Sequence, residues 1–212
     1  MKQKQKLLIA TGNAGKIREI EHELDHAGIL NDFQLLGLKD LPPPPHTPDC
    51  IEDRPSFVGN ATKKARHFAA VGNCLTLADD SGLCADALNG APGVYSARYA
   101  GLTGPREIVD QANNAKLLKE LENTPDDQRQ ARFVCAAALA LPTVDLVVIV
   151  DEVCGTLLRS PRGTNGFGYD PLFYLPQFHK TTAELSMQEK SQISHRGKAL
   201  RRLIAWLREN RP

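Results

Sequence analysis

The sequence predicts one α/β domain built on a mixed sheet, and three observations support this class. Residues 7–28 run as an apolar strand, a glycine-containing turn and a helix, which is the usual opening of an α/β unit. Three apolar segments within 131–160 are joined by short connections, as is typical of antiparallel neighbours in a sheet. An amphipathic helix closes the chain at 194–210. Because no repeat or linker interrupts the sequence, we assign residues 1–212 to one domain.

The N-terminal part of the chain alternates strands and helices. The helix after the first strand carries apolar residues three or four positions apart and ends at Gly28. Residues 32–38 are predicted to form a second strand, whereas the proline-rich stretch at 41–50 cannot form regular structure. Helical spacing returns at 56–71, where Ser56 is the expected N-cap.

The rest of the chain is predicted to be mostly sheet. The expected elements are a strand at 74–78, an extended segment at 83–88, an irregular segment at 89–101, a helix at 105–123, strands at 131–141, 144–153 and 155–160, and a glycine-rich loop at 161–176 that leads into a short strand. The inner face of the C-terminal helix is expected to consist of Leu200, Leu203, Ile204 and Leu207.

Composition excludes several classes of function. The 26 basic and 25 acidic residues give a net charge of +1, which argues against a nucleic-acid coat or a basic membrane-binding surface. No apolar run approaches the roughly 20 residues of a membrane span. The five cysteines form no CxxC pair and no secretory signal is recognisable, so we expect a cytoplasmic protein without nucleic-acid or membrane partners.

The stretch LTLADDSGL at 75–83 carries the first candidate for chemistry. Asp79 and Asp80 are expected where an apolar strand ends, and adjacent side chains of a strand point to opposite faces. A polar turn would explain this pattern, and so would a metal-binding or water-activating site at the strand end. The other polar motifs of the chain decide between the two.

Two glycine-rich motifs could bind a ligand. TGNAGK at 11–16 places backbone N–H groups and a lysine at a helix N-terminus, which suits a phosphate, although the spacing is not that of a Walker A motif and an ordinary turn is the alternative. GTNGFGYDP at 163–171 combines glycines with Phe167 and Tyr169, whose rings could stack on a flat heterocycle. The alternative there is a tight hairpin packed by aromatic side chains.

A third motif, EKSQISHRGKAL at 189–200, gathers Lys190, His195 and Arg196 around the start of a helix. Positive side chains oppose the helix dipole there, so either an anionic or base-edge ligand or simple solvation accounts for them. The three motifs and the aspartate pair together are the parts that nucleoside triphosphate chemistry uses. In that chemistry Mg²⁺ neutralises phosphate charge while a carboxylate activates water, so the aspartates are interpreted as catalytic.

In this order the motifs closely resemble the inosine triphosphate pyrophosphatase family, also called the non-canonical purine NTP or dITP/XTP pyrophosphatases, and its bacterial branch in particular. The matching stretches are ATGNAGK, NATKKAR, ADDSGL, GAPGVYSARYAG, PDDQRQARF, GTNGFGYDPLF and EKSQISHRGKAL. The resemblance implies Mg²⁺-dependent hydrolysis of ITP, dITP and XTP to the monophosphate and pyrophosphate. It also implies a homodimer, in which an elongated mixed sheet with flanking helices forms two lobes around a substrate cleft.

The resemblance implies roles for individual residues as well. The triphosphate would be bound by Thr11, Gly12, Asn13, Ala14, Gly15, Lys16 and Lys64. Asp80 would accept a proton and bind the metal, with Asp79 as a second metal contact, while Ser81 would touch the substrate. The base would be enclosed and recognised by Phe167, Gly168, Tyr169, Asp170, Lys190, His195 and Arg196. Side-chain donors around the base would favour a 6-oxo purine over adenine.

One position departs from the family pattern. Where the family reads Phe-x-Glu-Asn-Ala, this chain reads FVGNA at 57–61. The absent glutamate is expected to bind metal, so we expect Gly59 to weaken metal binding, and Glu52 is a weaker candidate to replace it. Two rival functions stay open: a nucleotide-binding protein that has lost catalysis, and a related pyrophosphatase for modified pyrimidine nucleotides.

Overall fold

A computed structural model describes residues 4–42 and 50–210, so most of the proline-rich stretch lies outside the described residues. The strands are β1 (Gln5–Ile9), β2 (Phe33–Gly37), β3 (Leu75–Ala85), β4 (Gln130–Leu141), β5 (Val144–Leu157), β6 (Phe173–Leu175) and β7 (Lys180–Thr181). The helices are α1 (Ala14–His26), α2 (Phe57–Gly72), α3 (Arg106–Glu120), α4 (Met187–Ile193) and α5 (His195–Asn210). None of the helices in these ranges is both long and apolar enough to cross a membrane.

The strands form a mixed sheet in the order β2-β1-β3-β4-β5-β6-β7. Strand β1 pairs in parallel with β2 and β3, whereas β6 pairs antiparallel with β5 and β7. Strands β4 and β5 are neighbours joined by Pro142 and Thr143 alone, a connection of hairpin length. The predicted α/β class with a mixed sheet and flanking helices is confirmed.

The chain divides into two compact units. The first comprises Met1–Asp80, Cys135–Asp151 and Arg196–Pro212, and the second comprises Ser81–Val134 and Glu152–His195. Strands β3, β4 and β5 each contribute residues to both units.

The first unit covers the two faces of its strands with different helices. In β1, Leu7 and Ile9 pack with apolar residues of α1 and α5, while the intervening Leu8 packs with α2. Successive side chains of a strand point to opposite faces, so this alternation places α1 and α5 on one face and α2 on the other. The four apolar residues predicted for the inner face of α5 are all buried in this core.

The second unit has its own core. Its buried apolar residues come from the end of β3, from α3 and from β4, β5 and β6, and include Leu83, Leu117, Phe133, Leu157 and Phe173. This core supports the loop between β5 and β6 that carries the predicted aromatic residues.

Two strand boundaries were predicted wrongly. Strand β3 does not end at residue 78 but continues through both aspartates, and β5 runs unbroken through Gly155 where two strands were expected. A Cβ at Gly82 would lie 2.5 Å from the Gly93 carbonyl oxygen, and one at Gly155 would lie 2.5 Å from the Tyr174 carbonyl oxygen. These glycines therefore permit a close approach of another chain segment and do not end a strand.

Helix α4 was not predicted as an element of its own. It begins with a capping box, in which the Ser186 side chain accepts a hydrogen bond from the Glu189 N–H and the Glu189 side chain accepts one from the Ser186 N–H. Lys190 consequently lies in the last turn of α4 and not at the start of α5.

The expected Ser56 cap of α2 is confirmed, because the Ser56 hydroxyl accepts a hydrogen bond from the Gly59 N–H.

Candidate functional site

Asp79 and Asp80 occupy the middle of β3, and their side chains point to opposite faces as expected. Both are buried. Asp79 faces Lys16 and Arg196, whereas Asp80 faces Asn60 on α2. The two neighbours therefore have different partners and different chemistry.

Asp79 is held between two cations. Lys16 Nζ lies 3.1 Å from Asp79 Oδ1, and Arg196 Nε donates to Asp79 Oδ2 over 3.0 Å. Burial by itself raises the pKa of Asp79, but Lys16 and Arg196 outweigh it and hold that pKa well below the usual range. The same burial lowers the pKa of Lys16, although Asp79 opposes the shift. Asp79 thus stays ionised and fixes the lysine of the TGNAGK turn.

Arg196 has carboxylate partners on both sides. At the start of α5 its guanidinium binds Glu19 of α1 as well as Asp79, and the side chain is 2% exposed. Burial lowers the pKa of Arg196, but Glu19 and Asp79 more than compensate and raise it. From the sequence, either a ligand or solvation could explain a cation at this helix start, but here the protein itself supplies the counter-charge.

Asp80 lies in a different environment. Asn60 Nδ2 donates to Asp80 Oδ2 over 3.1 Å, and the Asn60 Oδ1 accepts from the Arg54 N–H over 2.9 Å, which fixes the amide orientation. Burial raises the pKa of Asp80; Lys64 opposes this shift and Glu52 adds to it. Asp80 therefore binds a proton more readily than an ordinary aspartate does.

Lys64 connects the two carboxylate environments of the first unit. Its Nζ donates to Glu52 Oε1 over 2.5 Å and to the main-chain oxygen of Asp79 over 2.6 Å. Lys64 follows Asn60 by four residues on α2, so both project from one helix face. Burial lowers the pKa of Lys64, but Asp79, Glu52 and Asp80 outweigh burial. The pKa is therefore raised above its usual value, and the ammonium stays charged.

The TGNAGK turn is organised by Asn13, the N-cap of α1. Its Oδ1 accepts from the N–H groups of Gly15 over 2.8 Å and Lys16 over 3.3 Å, and its own N–H donates to Thr11 Oγ1 over 3.2 Å. Two of the amides expected to bind phosphate therefore already have a protein acceptor. A Cβ at Gly12 would meet nothing within 4 Å, so the turn is open at that residue.

In the second unit, Asp170 fixes the aromatic loop, which we define as residues 163–170. Its carboxylate accepts hydrogen bonds from the Phe167 N–H over 2.9 Å, from Thr182 Oγ1 over 2.9 Å and from Lys190 Nζ over 2.6 Å. Gly166 has φ +77° and packs directly on this carboxylate, so a side chain there would be strained and would clash.

The predicted aromatic residues differ in exposure. Phe167 is half-buried, and Lys190 Nζ lies 5.0 Å from its ring centroid. Tyr169 is buried in the core of the second unit, and its hydroxyl donates to the Ser96 carbonyl oxygen over 2.9 Å. The His195 ring stacks on Phe133 at a centroid distance of 4.8 Å. Of these rings, Phe167 alone is not buried.

The carboxylates of the first unit suit a divalent cation only in part. No group of three or more His, Cys, Asp or Glu side chains within residues 4–42 and 50–210 is placed to hold a metal ion. Lys64 Nζ bonds both Glu52 and the main-chain oxygen of Asp79, the residue before Asp80, so Glu52 lies near this part of β3. Mg²⁺ is commonly bound by one or two carboxylates together with water and substrate phosphates, so Asp80 and Glu52 are the candidates to bind it. The Asp79 carboxylate is instead bound to Lys16 and Arg196.

Sequence reasoning gave no role to several residues that shape these clusters. Asn60 holds Asp80, Glu19 pairs with Arg196, and Asp110 contacts the aromatic loop. The spacing of four between Asn60 and Lys64 in a predicted helix could have placed them on one face. The other two pairs join residues far apart in sequence, and spacing carries no signal for them.

Comparison with known proteins confirms the family that the motifs indicate. The model of the Ham1 family matches residues 7–206. A dITP/XTP pyrophosphatase of Shigella flexneri is 47% identical over 208 residues, covering 96% of this chain and 98% of the relative. One from an Exiguobacterium species is 49% identical over 200 residues, covering 94% and 95%. The structure of the Staphylococcus aureus Ham1 protein superposes with a TM-score of 0.82 at 40% identity, covering 97% of this chain and 99% of that one.

Proposed function

Since the chain belongs to the Ham1 family, we propose that it hydrolyses the non-canonical purine nucleotides ITP, dITP and XTP to the monophosphate and pyrophosphate. The enzyme class is then a hydrolase acting on acid anhydrides. The names of the relatives support this substrate class, and the family motifs extend over nearly the whole chain. Such an activity removes deaminated purines from the nucleotide pool.

The observation that carries the proposal is the environment of Asp80. Its carboxylate is oriented by Asn60 and is more basic than an ordinary aspartate because of burial and the nearby Glu52. A general base is most effective when its pKa approaches the working pH, so these surroundings favour proton abstraction from the attacking water. We assign that role to Asp80.

We propose Mg²⁺ as the cofactor, held by Asp80 and Glu52. When bound, the ion neutralises charge on the phosphate oxygens. The feature that supports this assignment is Lys64, which bonds both Glu52 and the main chain of Asp79, the residue before Asp80. We assign Asp79 to the fixation of Lys16, since each of its two carboxylate oxygens binds a protein cation, whereas Glu52 binds Lys64 through Oε1.

We further propose that Lys16 and Lys64 bind the triphosphate and that the aromatic loop of the second unit binds the base. The Lys16 and Lys64 side chains are 13% and 10% exposed and lie beside carboxylates, which hold their ammonium groups in place. Phe167 is partly exposed and is available for stacking, and Lys190 Nζ lies 5.0 Å from its ring centroid. A cytoplasmic location and a homodimeric state complete the proposal.

The test is product analysis with dITP and Mg²⁺. We expect pyrophosphate and dIMP in equal amounts, without orthophosphate, and a kcat/KM for dITP far above that for dATP. Binding of dITP without product would favour a nucleotide-binding protein that has lost catalysis. A preference for modified UTP or TTP over dITP would favour the related pyrimidine pyrophosphatase.

A further inference from the structure

Helix α3 holds the aromatic loop by both main-chain polar groups of one residue, Gly168. Asp110 Oδ2 accepts from the Gly168 N–H over 2.8 Å, and Asn114 Nδ2 donates to the Gly168 carbonyl oxygen over 2.9 Å. Asp110 and Asn114 are four residues apart, so they project from the same face of the helix. Gly168 directly follows Phe167, and this clamp therefore fixes the backbone beside the partly exposed ring.

The clamp is rigid at its helix end. Asp110 is buried and forms an ion pair with Arg106, whose Nε lies 2.9 Å from Asp110 Oδ1. The neighbouring Asn113 is buried too, and it binds the main chain at Ser96 and Ala100. Asp110 and the adjacent turn of α3 are thus held by contacts of their own.

The geometry of Gly168 explains why it needs such support. Its φ of +62° is a conformation that glycine adopts readily, but glycine also has many alternatives, and no side-chain packing restrains it. The two hydrogen bonds to the Gly168 main chain, one of them to a carboxylate, select a single conformation of this residue. The orientation of the preceding Phe167 ring follows from it.

We propose that Asp110 and Asn114 are positioning residues that pre-organise Phe167 for stacking on the nucleobase. This inference rests on the proposed role of the aromatic loop in base binding. The two residues do not touch the substrate; they act through the Gly168 peptide. Pre-organisation lowers the entropy lost when the base binds. Losing it should therefore weaken substrate affinity and leave the rate of the chemical step unchanged.

The experiment measures dITP hydrolysis by Asp110→Ala and Asn114→Ala. We expect each to raise KM for dITP about tenfold, because a hydrogen bond to a loop peptide is lost, with kcat changed less than about twofold. The exposed Gln111→Ala on the same helix is the matched control and should behave as wild type. Asp110→Asn keeps an acceptor for the Gly168 N–H and should recover most of the affinity.

A readout without a base separates positioning from general damage. Inorganic tripolyphosphate has no base, so its inhibition constant should be the same in wild type and in both alanine variants. An inhibition constant that rises together with the KM for dITP would overturn the proposal.

A double-mutant cycle with Phe167→Ala completes the test. If the clamp acts through Phe167, Asp110→Ala should add little to the KM of the Phe167→Ala enzyme. Fully additive effects would show that Asp110 acts elsewhere and would refute the positioning role. If Phe167→Ala alone leaves KM and the dITP/dATP preference unchanged, the base-binding role of the loop fails, and the positioning proposal fails with it. That outcome is distinct from a failure of the clamp variants alone.

Discussion

Asp80 in the first unit and Asp170 in the second are both buried carboxylates, but their surroundings differ. Asp170 accepts hydrogen bonds from a main-chain N–H, a hydroxyl and the ammonium of Lys190. Within the described residues, Asp80 accepts a hydrogen bond from the Asn60 amide, and it is repelled by Glu52. The capacity of Asp170 is used to hold a loop, whereas Asp80 retains basicity for chemistry.

The comparison shows that burial does not by itself distinguish the carboxylate proposed to be catalytic from a structural one. Asp80 is 5% exposed and Asp170 is 3% exposed, so accessibility cannot separate them. The number and charge of the donors around each group does. Four experiments can break or sharpen this distinction.

The largest effect is expected for Asp80→Asn. The amide keeps the shape but cannot accept the proton or bind metal, so kcat for dITP should fall by a factor of about 10²–10⁴. Pyrophosphate release measures turnover, and calorimetric titration with dITP should show that binding survives. Asp170→Asn is the comparison variant and should raise KM more than it lowers kcat, because it loosens the aromatic loop. Equal losses of kcat in the two variants would erase the distinction.

Arg196→Ala should markedly lower the free energy of unfolding. From the sequence alone, this variant is expected to lose dITP selectivity with little structural cost. The structure changes that expectation, because removal of the guanidinium leaves Glu19 and Asp79 as buried charges without their shared partner. Breaking a buried ion pair from one side typically costs about 3–5 kcal/mol.

Guanidinium denaturation measures this loss against a matched control. Arg202 pairs with Asp151 at a distance of 3.0 Å but is largely exposed, so Arg202→Ala should lower the free energy of unfolding by less than about 1 kcal/mol. Similar losses for the two variants would mean that the buried network contributes no more than a surface ion pair.

Titration of the metal-free enzyme tests the pKa of Asp80. Burial and Glu52 raise that pKa, so without Mg²⁺ the Asp80 carboxyl should bind its proton at higher pH than an ordinary aspartate does. Glu52→Gln removes one of these causes and should lower the pKa, which NMR of the metal-free enzyme measures. The metal-free protein is compared because Glu52 is also a proposed metal ligand and a bound cation changes the pKa of nearby groups. A pKa that stays in place would exclude Glu52 as the neighbour that raises it.

The parts of the fold that sequence predicted are those governed by local rules. The Ser56 cap and the apolar face of α5 depend on residues within four positions of one another, and both are present. The continuation of β3 through Asp79 could not be foreseen, because polar residues at a strand end are common and its partner Arg196 lies 117 positions away. The motifs indicated the candidate residues, but partners distant in sequence decide which aspartate has the raised pKa.

The smallest effect is expected at position 59. Substitutions there separate two explanations for the family glutamate, a helix cap and a metal ligand. Gly59 is the third residue of α2 and donates its N–H to Ser56 Oγ. A glutamate there would complete a capping box by accepting from the Ser56 N–H. This cap would by itself explain a glutamate at this position, and the metal-binding role expected from the sequence stays a prediction.

Comparing Gly59→Ala with Gly59→Glu separates the effect on helix stability from an effect on metal binding. A Cβ at this position would lie 2.8 Å from Arg54 Cβ, which is attached directly to the main chain, so the Arg54 backbone must shift in both variants. This shift offsets the gain of about 1 kcal/mol from replacing a helical glycine. In a thermal melt we expect Gly59→Ala to be about as stable as wild type. Gly59→Glu should be more stable than wild type by about 0.5–1 kcal/mol, because of the cap and the helix dipole. The Mg²⁺ concentration for half-maximal activity should be the same for both. A decrease of about tenfold or more in the glutamate variant alone would show that position 59 is a vacated metal ligand after all, since ligand-shell groups contribute effects of that size.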